Sequence, residues 1–277
     1  MGMRITTNVA AIHTQRQLVN SQFNIQNSMQ KLSSGYRINK SADDAAGLAI
    51  SENMKAQLRS LAQAKRNAND GISLAQTAEG GLAEITNIAT RIRELAVQAS
   101  SDTVGDRERT FIDLEVQQLK EEINRIATIA SWNSVPLLDG STPSFDIQVG
   151  SNNTADDRIV FDASQNIATL AGLGLAEMNF ETKEGARGSI GLLDAATDSV
   201  NAMRANIGAI QNRLQSAVDT LAITEENLAA ANSRIRDTDI AAVSSEMARN
   251  NVMLQAGTAT LAQANQASML AVKLIGA

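Results

Sequence analysis

The chain has 277 residues, a formal net charge of −6, 43% hydrophobic but only 3% aromatic residues, one His and no Cys. That excludes a disulfide framework, a thiol nucleophile and a cysteine-ligated or multi-histidine metal site, and the acidity argues against a nucleic-acid partner. No apolar run approaches the roughly 18 residues of a membrane span, MGMRITTNVA lacks the apolar region of a signal peptide, and with so few aromatics the core has to be built from small and aliphatic side chains.

In chain order, the first element is an N-terminal stretch in which Arg16 is the one charge between Thr6 and Gln30, set among Asn and Gln side chains. Two apolar stripes run along it at helical spacing: Ile5, Val9, Ile12, Val19 and Phe23, and Leu18, Ile25, Met29 and Leu32. Two stripes on one helix imply two packing directions. His13 lies here with no acid nearby, so a Ser-His-Asp triad lacks its parts. Ser41, Asp43 and Asp44 then offer N-caps for a helix over about 44–100. Its seam runs Met54, Leu58, Leu61, Lys65, Ala68, Ile72, Ala75 and on through Leu82, Ile85, Ala89, Ile92, Ala96 and Ala99. Gly105 and Asp106 separate it from a helix over about 106–130, with Ile112, Val116, Leu119, Ile123, Ile126 and Ala130 in line.

Both prolines, Pro136 and Pro143, sit near the middle of the chain, which leaves both flanks free to form long helices. Between the flanks, Phe145, Ile147 and Val149 alternate with polar residues, Ser-Asn-Asn-Thr turns the chain, and Ile159 and Phe161 follow. This pattern predicts a β-hairpin. The Gly-punctuated run from Leu170 to Phe180 predicts another short extended piece. The middle holds Asp146, Asp156, Asp157 and Asp162 but no His, so these acids read as surface solvation, and no catalytic, cofactor or metal site is expected.

From Leu193, 3/4-spaced positions run Ala196, Val200, Met203, Ile207, Ile210, Leu214, Ala217, Leu221, Thr224, Leu228, Ala231 and Ile235. Such a repeat predicts a coiled-coil helix over about 190–235. From Ala209 to Ala256 the chain has neither Gly nor Pro; fully helical, that stretch measures about 70 Å. Asn250 to Val272 carries no charge, and Met247, Leu254 and Leu261 fall on a heptad. Charge-free helices rich in amides need partners for those amides, because an unpaired buried one costs roughly 1–3 kcal/mol. The predicted fold is therefore mainly α: an elongated antiparallel bundle of long helices with a small β-hairpin region and paired N- and C-terminal helices. The stripes serve the molecule's own core first, and the termini are the segments that ask for further copies.

The residues then become specific. LSSGYRINKSADDAAGLAISENM (Leu32 to Met54), RNANDGISLAQTAEGGLAEI (Arg66 to Ile85) and RIRELAVQAS (Arg91 to Ser100) resemble the N-terminal half of bacterial flagellin. NLAAANSRIRDTDIA (Asn227 to Ala241) and QAGTATLAQANQASMLAVKLI (Gln255 to Ile275) resemble the matching C-terminal half. The resemblance implies an inner-core helical domain with spokes from 1–43 plus 237–277, and an outer-tube bundle over 44–236 with the hairpin at about 137–180. Little separates the Asp139–Phe180 region from the returning helix, so the large outer variable domains of many family members are absent.

The same resemblance implies a structural subunit that polymerises into the flagellar filament for motility, is secreted to the filament, and is not an enzyme. Its implied polymerisation residues are Ile5, Val9, Ile12, Phe23, Met29, Met247, Leu254, Leu261 and Leu270. Implied partners are further copies, the flagellar cap and hook-filament junction proteins, and the flagellar export apparatus with its export chaperone; no cofactor, nucleic acid or membrane insertion is implied. A vertebrate Toll-like flagellin receptor is a further implied partner, through Arg91, Leu95, Gln98 and Glu115. Two alternatives remain: a hook-filament junction protein of the same superfamily and, from another class, a coiled-coil signalling hairpin. Junction proteins typically carry a proline after the paired aspartates, whereas Asp43-Asp44 are followed here by Ala45-Ala46-Gly47. A signalling hairpin shares the heptads but not the β-hairpin or the charge-free termini.

Overall fold

The computed structural model describes residues 7–142 and 144–275, with the backbone alone at 267, 268 and 270–275. Five helices and two small antiparallel hairpins follow in the order α1 (Val9–Ser34), α2 (Ala45–Ala99), α3 (Asp106–Ile129), β1 (Ser131–Trp132), β2 (Val135–Pro136), β3 (Phe145–Gln148), β4 (Arg158–Phe161), α4 (Lys183–Arg236) and α5 (Ile240–Ile275). Helices α1, α2 and α5 begin where short polar side chains satisfy orphan N–H groups. Asn8 Oδ1 accepts from Ala11 N, Asp44 Oδ1 from Gly47 N, and Asp239 Oδ1 from Ala241 N and Ala242 N. Helix α1 ends at Gly35, whose φ of 74° only glycine adopts freely.

The chain divides into two compact units, Gln57–Glu226 and Met1–Ala56 with Asn227–Ala277. In the first, side chains of α2, α3, α4 and the β3–β4 hairpin share one buried cluster that includes Leu82, Ile85, Ile92, Ile123, Phe161, Leu193, Ile207 and Leu214. Strand β3 pairs with β4 in the register Phe145↔Phe161 to Gln148↔Arg158, and the two Phe rings meet edge to face at 6.2 Å. Two glycines let β3 and the segment after β2 come close to α2. A Cβ at Gly71 would meet Ile147 Cδ1 at 2.6 Å, and one at Gly81 would meet Leu138 Cδ1 at 2.9 Å. Two buried cations cap backbone carbonyls: Lys120 Nζ donates to Ala176 O, while Arg109 donates to Ala99 O and Ser101 O and pairs with Asp106.

The run from Leu170 to Phe180 is not extended. Its backbone bonds are local, Leu173 N to Thr169 O and Gly174 N to Ala171 O, and Gly174 sits at φ 69°. The glycines coil the segment, and the buried side chains of Leu173, Leu175, Met178 and Phe180 fix it. The β1–β2 hairpin, which alternation did not suggest, has two residues per strand around Asn133 and Ser134, both at positive φ. That is a two-residue primed turn.

In the other unit, α1 and α5 pack antiparallel, with Asn8 Nδ2 donating to Ala264 O at 2.9 Å. Where they meet α2 and α4, Tyr36 bridges to Asp237, Arg37 donates its backbone N–H to Arg236 O and its guanidinium to Ile235 O, and Arg236 lies over the Tyr36 ring and pairs with Glu52. Asp43 closes the intervening turn by accepting from Asn39 N and Lys40 N. Those two backbone bonds hold its carboxyl below the usual aspartate value.

Candidate assembly surfaces

The α1–α5 hairpin is held by one heptad seam. Ala11, Thr14, Leu18, Ser21, Ile25, Ser28 and Leu32 of α1 are buried or half-buried, as are Val243, Met247, Asn250, Leu254, Gly257, Leu261 and Ala264 of α5. Large and small positions alternate. At Gly257 an added Cβ would meet Leu18 Cδ2 at 2.7 Å, so the glycine receives the leucine. A seam built partly of Ser, Asn, Ala and Gly places the backbones close together but buries little apolar area.

Opposite the seam, α1 presents a second heptad line. Val9 (66% exposed), Ile12, Val19 and Phe23 (60%) are all solvent-exposed, with Arg16 between them. Met29 lies exposed on the flank of α1, and α5 exposes Val252, Met253 and Met269. The sequence-predicted polymerisation residues therefore fall into two sets. Met247, Leu254 and Leu261 are half-buried within the hairpin, whereas Val9, Ile12, Phe23 and Met29 point outward. Ile5 and the side chain of Leu270 lie outside the described residues. Val252, Met253 and Met269 were missed by heptad reading because they sit off the Met247 line.

On the bundle, Arg91 reaches Glu115 at 2.9 Å and Glu94 at 3.1 Å. Glu115, then Glu94, raises the guanidinium's pKa further. Gln98 is exposed beside them. Leu95, though near the same helix face by spacing, is only 2% exposed and belongs to the core cluster. The structure thus brings Arg91, Gln98 and Glu115 to one surface and turns Leu95 inward beneath it. Phe111 and Leu114 of α3 are exposed next to Glu115 in sequence; the signal for them was two large apolar residues lying off the Ile112–Val116 seam. Among the described residues no group of three or more His, Cys, Asp or Glu is placed to hold a metal ion. No helix among them is long and apolar enough to cross a membrane.

Comparison with known proteins bears on these surfaces. Residues 5–142 match the bacterial flagellin N-terminal helical region, and residues 190–275 match the bacterial flagellin C-terminal helical region. The chain is 41% identical over 289 residues to the flagellar filament 33 kDa core protein of Treponema phagedenis, covering 99% of this chain and 100% of that one. It is 42% identical over 273 residues to a flagellin of Halalkalibacterium halodurans, again with 99% and 100% covered. Among solved structures, the crystal structure of Bacillus cereus flagellin aligns with a TM-score of 0.51 at 30% identity, over 60% of this chain and 94% of that one.

Proposed function

The chain belongs to the bacterial flagellin family and is a structural subunit of the flagellar filament, and we propose that it polymerises through the outward line of α1 together with the exposed flanks of α5. The observation that carries this reading is the terminal hairpin itself. It exposes Val9, Ile12, Val19 and Phe23 on the face opposite its own seam, and a line of large exposed apolar side chains interrupted by one charge, Arg16, marks an interface. Each such side chain contributes about 1.5–3 kcal/mol when another copy covers it. Association, not catalysis, is the chemistry, and it suits a family whose members are structural.

In this reading Met247, Leu254 and Leu261 join the two termini of one copy, and Val9, Ile12, Phe23 and Met29 join copies to one another. Residues 1–43 and 237–277 form the filament's inner layer with its spokes, and 44–236 the outer tube. The chain leaves the cell through the flagellar export apparatus with an export chaperone, and it is added beneath the flagellar cap on a base of hook-filament junction proteins. Absence of Cys suits export as an unfolded chain, since no disulfide can close early. A Toll-like flagellin receptor reads Arg91 and Gln98 of α2 with Glu115 of α3, and Leu95 anchors α2 from below.

Phe23→Glu tests the reading. Seeded polymerisation, followed by sedimentation and electron microscopy, should need at least about tenfold more protein, because a carboxylate would have to be buried without a partner. Thermal unfolding of the bundle in the same variant should match the parent. Filaments forming at the parental concentration would show that the outward line of α1 is not an assembly surface.

A further inference from the structure

The methionines of this chain are distributed unevenly. Among the described residues those that are exposed are Met29 at 59%, Met253 at 44% and Met269 at 65%, all on the α1–α5 hairpin. Met178 of the bundle is buried and Met203 half-buried, as are Met54 and Met247 of the terminal unit. The chain has no Cys to react first with an oxidant. We propose that Met29, Met253 and Met269 are an oxidation site for hydrogen peroxide, open in the free subunit and closed in the filament, and that their oxidation blocks polymerisation. The proposal rests on the assembly role of the outward hairpin faces given above.

The step balances simply. The thioether sulfur attacks one peroxide oxygen, the O–O bond breaks, sulfur loses two electrons and gains that oxygen, and the proton on it passes to the departing hydroxide, which leaves as water. The product differs from methionine in the property an interface uses. A flexible apolar thioether becomes a polar, chiral sulfoxide. The sulfoxide is bulkier and far more polar than the thioether, so a contact shaped for methionine has to desolvate it in order to close. Met253 and Met269 lie on the stretch from Asn250 to Val272, which carries no charged side chain, so the donors near them are amides and hydroxyls already needed by the helices' own polar contacts. Methionine also tolerates irregular packing better than branched residues, which fits a surface that must meet several neighbouring copies. Assembled filaments keep the three sulfurs covered, so the same peroxide that disables a free subunit spares a finished polymer.

The test uses the full chain as depolymerised subunit and as filament. Both are treated with hydrogen peroxide, quenched with catalase, and mapped by peptide mass spectrometry. In the free subunit the three exposed methionines should gain one oxygen each before Met178 and Met203 do, and in the filament they should lag. The oxidised subunit should require roughly tenfold more protein to polymerise onto seeds, the penalty expected for burying an unpartnered polar group. Treatment with both methionine sulfoxide reductases should restore assembly without any change of sequence. The triple variant Met29→Leu, Met253→Leu, Met269→Leu should polymerise equally before and after peroxide. Normal assembly of a subunit shown to carry the three sulfoxides would overturn the proposal. So would equal oxidation rates in subunit and filament, or loss of assembly by the peroxide-treated triple variant. An untreated chain that never polymerises would instead overturn the assembly reading, and this inference with it.

Discussion

Arg91 shows how one residue can be both scaffold and surface. Its guanidinium joins α2 to α3 through Glu115 and braces its own helix through Glu94. All three side chains are about half exposed or more, and solvent screens ion pairs of that kind so that they add little net stability. Arg91→Ala should therefore leave the bundle's thermal midpoint almost unchanged while reducing receptor activation by the depolymerised chain in reporter cells. Activation equal to the parent would remove Arg91 from the receptor surface. Sequence spacing placed Arg91, Leu95 and Gln98 on one face, but it could not tell which edge of that face the core covers. Burial settles it: Ile92, Leu95, Ala96 and Ala99 define the inward side, so Leu95 supports the helix while Arg91 and Gln98 remain outside. Asp102 illustrates a different residue-level device. Lys183 pairs with it and holds its carboxyl below the ordinary aspartate value of 3.8. A carboxyl whose folded pKa lies below its unfolded one adds stability above the unfolded value, and that stability is lost as pH falls through the folded value. Asp102→Asn should accordingly flatten the fall of the bundle's thermal midpoint below pH 3.8. Circular dichroism across that range is the check, and an unchanged slope would show that the Asp102–Lys183 pair carries no acid sensitivity.

At the scale of elements, glycine inside a helix marks where something else must fit. Gly71 and Gly81 interrupt a helix of 55 residues, each at about 1 kcal/mol against alanine. What they permit is the seating of Ile147 and Leu138 on the α2 backbone. Gly71→Val should lower stability by about 1–3 kcal/mol, the usual penalty for overpacking a well-filled core, since Ile147 and Leu214 both lie within the reach of its first carbon. Urea unfolding measures this, and a stability equal to the parent would mean the hairpin can lift away freely. The long helices were legible in sequence because their 3/4 repeats run uninterrupted; the observed α2, α3 and α4 follow those seams. The β3–β4 hairpin was legible from alternation around Ser-Asn-Asn-Thr. Less legible were elements held by contacts distant in sequence. Lys120 and Arg109 occupy polar-looking positions yet are buried, because the carbonyls of Ala176 and Ala99 need donors there. The β1–β2 strands, two residues each, are too short to show a period at all. The Leu170–Phe180 run carries strand-like apolar residues but finds no strand to pair with, and its glycines turn it back on itself.

For the whole molecule, the decisive contrast is in what each unit buries. The bundle unit holds the entire buried hydrophobic cluster, from Ala68 to Leu214. In the terminal unit, the buried hydrophobic side chain among the described residues is Ile38; its other buried side chains, Ser21, Ser28, Ser51 and Asn250, are polar. Ordering a residue costs about 1–2 kcal/mol of backbone entropy, and a seam of half-buried and small side chains recovers little of it. If neighbouring copies cover Val9, Ile12, Val19 and Phe23 as proposed above, assembly stabilises the α1–α5 hairpin, and folding and binding are coupled there. In the free subunit, brief trypsin treatment should cut at Arg16, Lys31, Arg37 or Lys40 and at Arg236 or Arg249. Residues from about 45 to 235 should survive as one fragment because the shared core makes local opening there rare. The same sites should resist in filaments, and the trimmed fragment should no longer polymerise. Mass spectrometry of the digest decides between the outcomes. Termini as resistant as the bundle in the free subunit would mean that the narrow seam suffices by itself, and that assembly adds contacts without adding order.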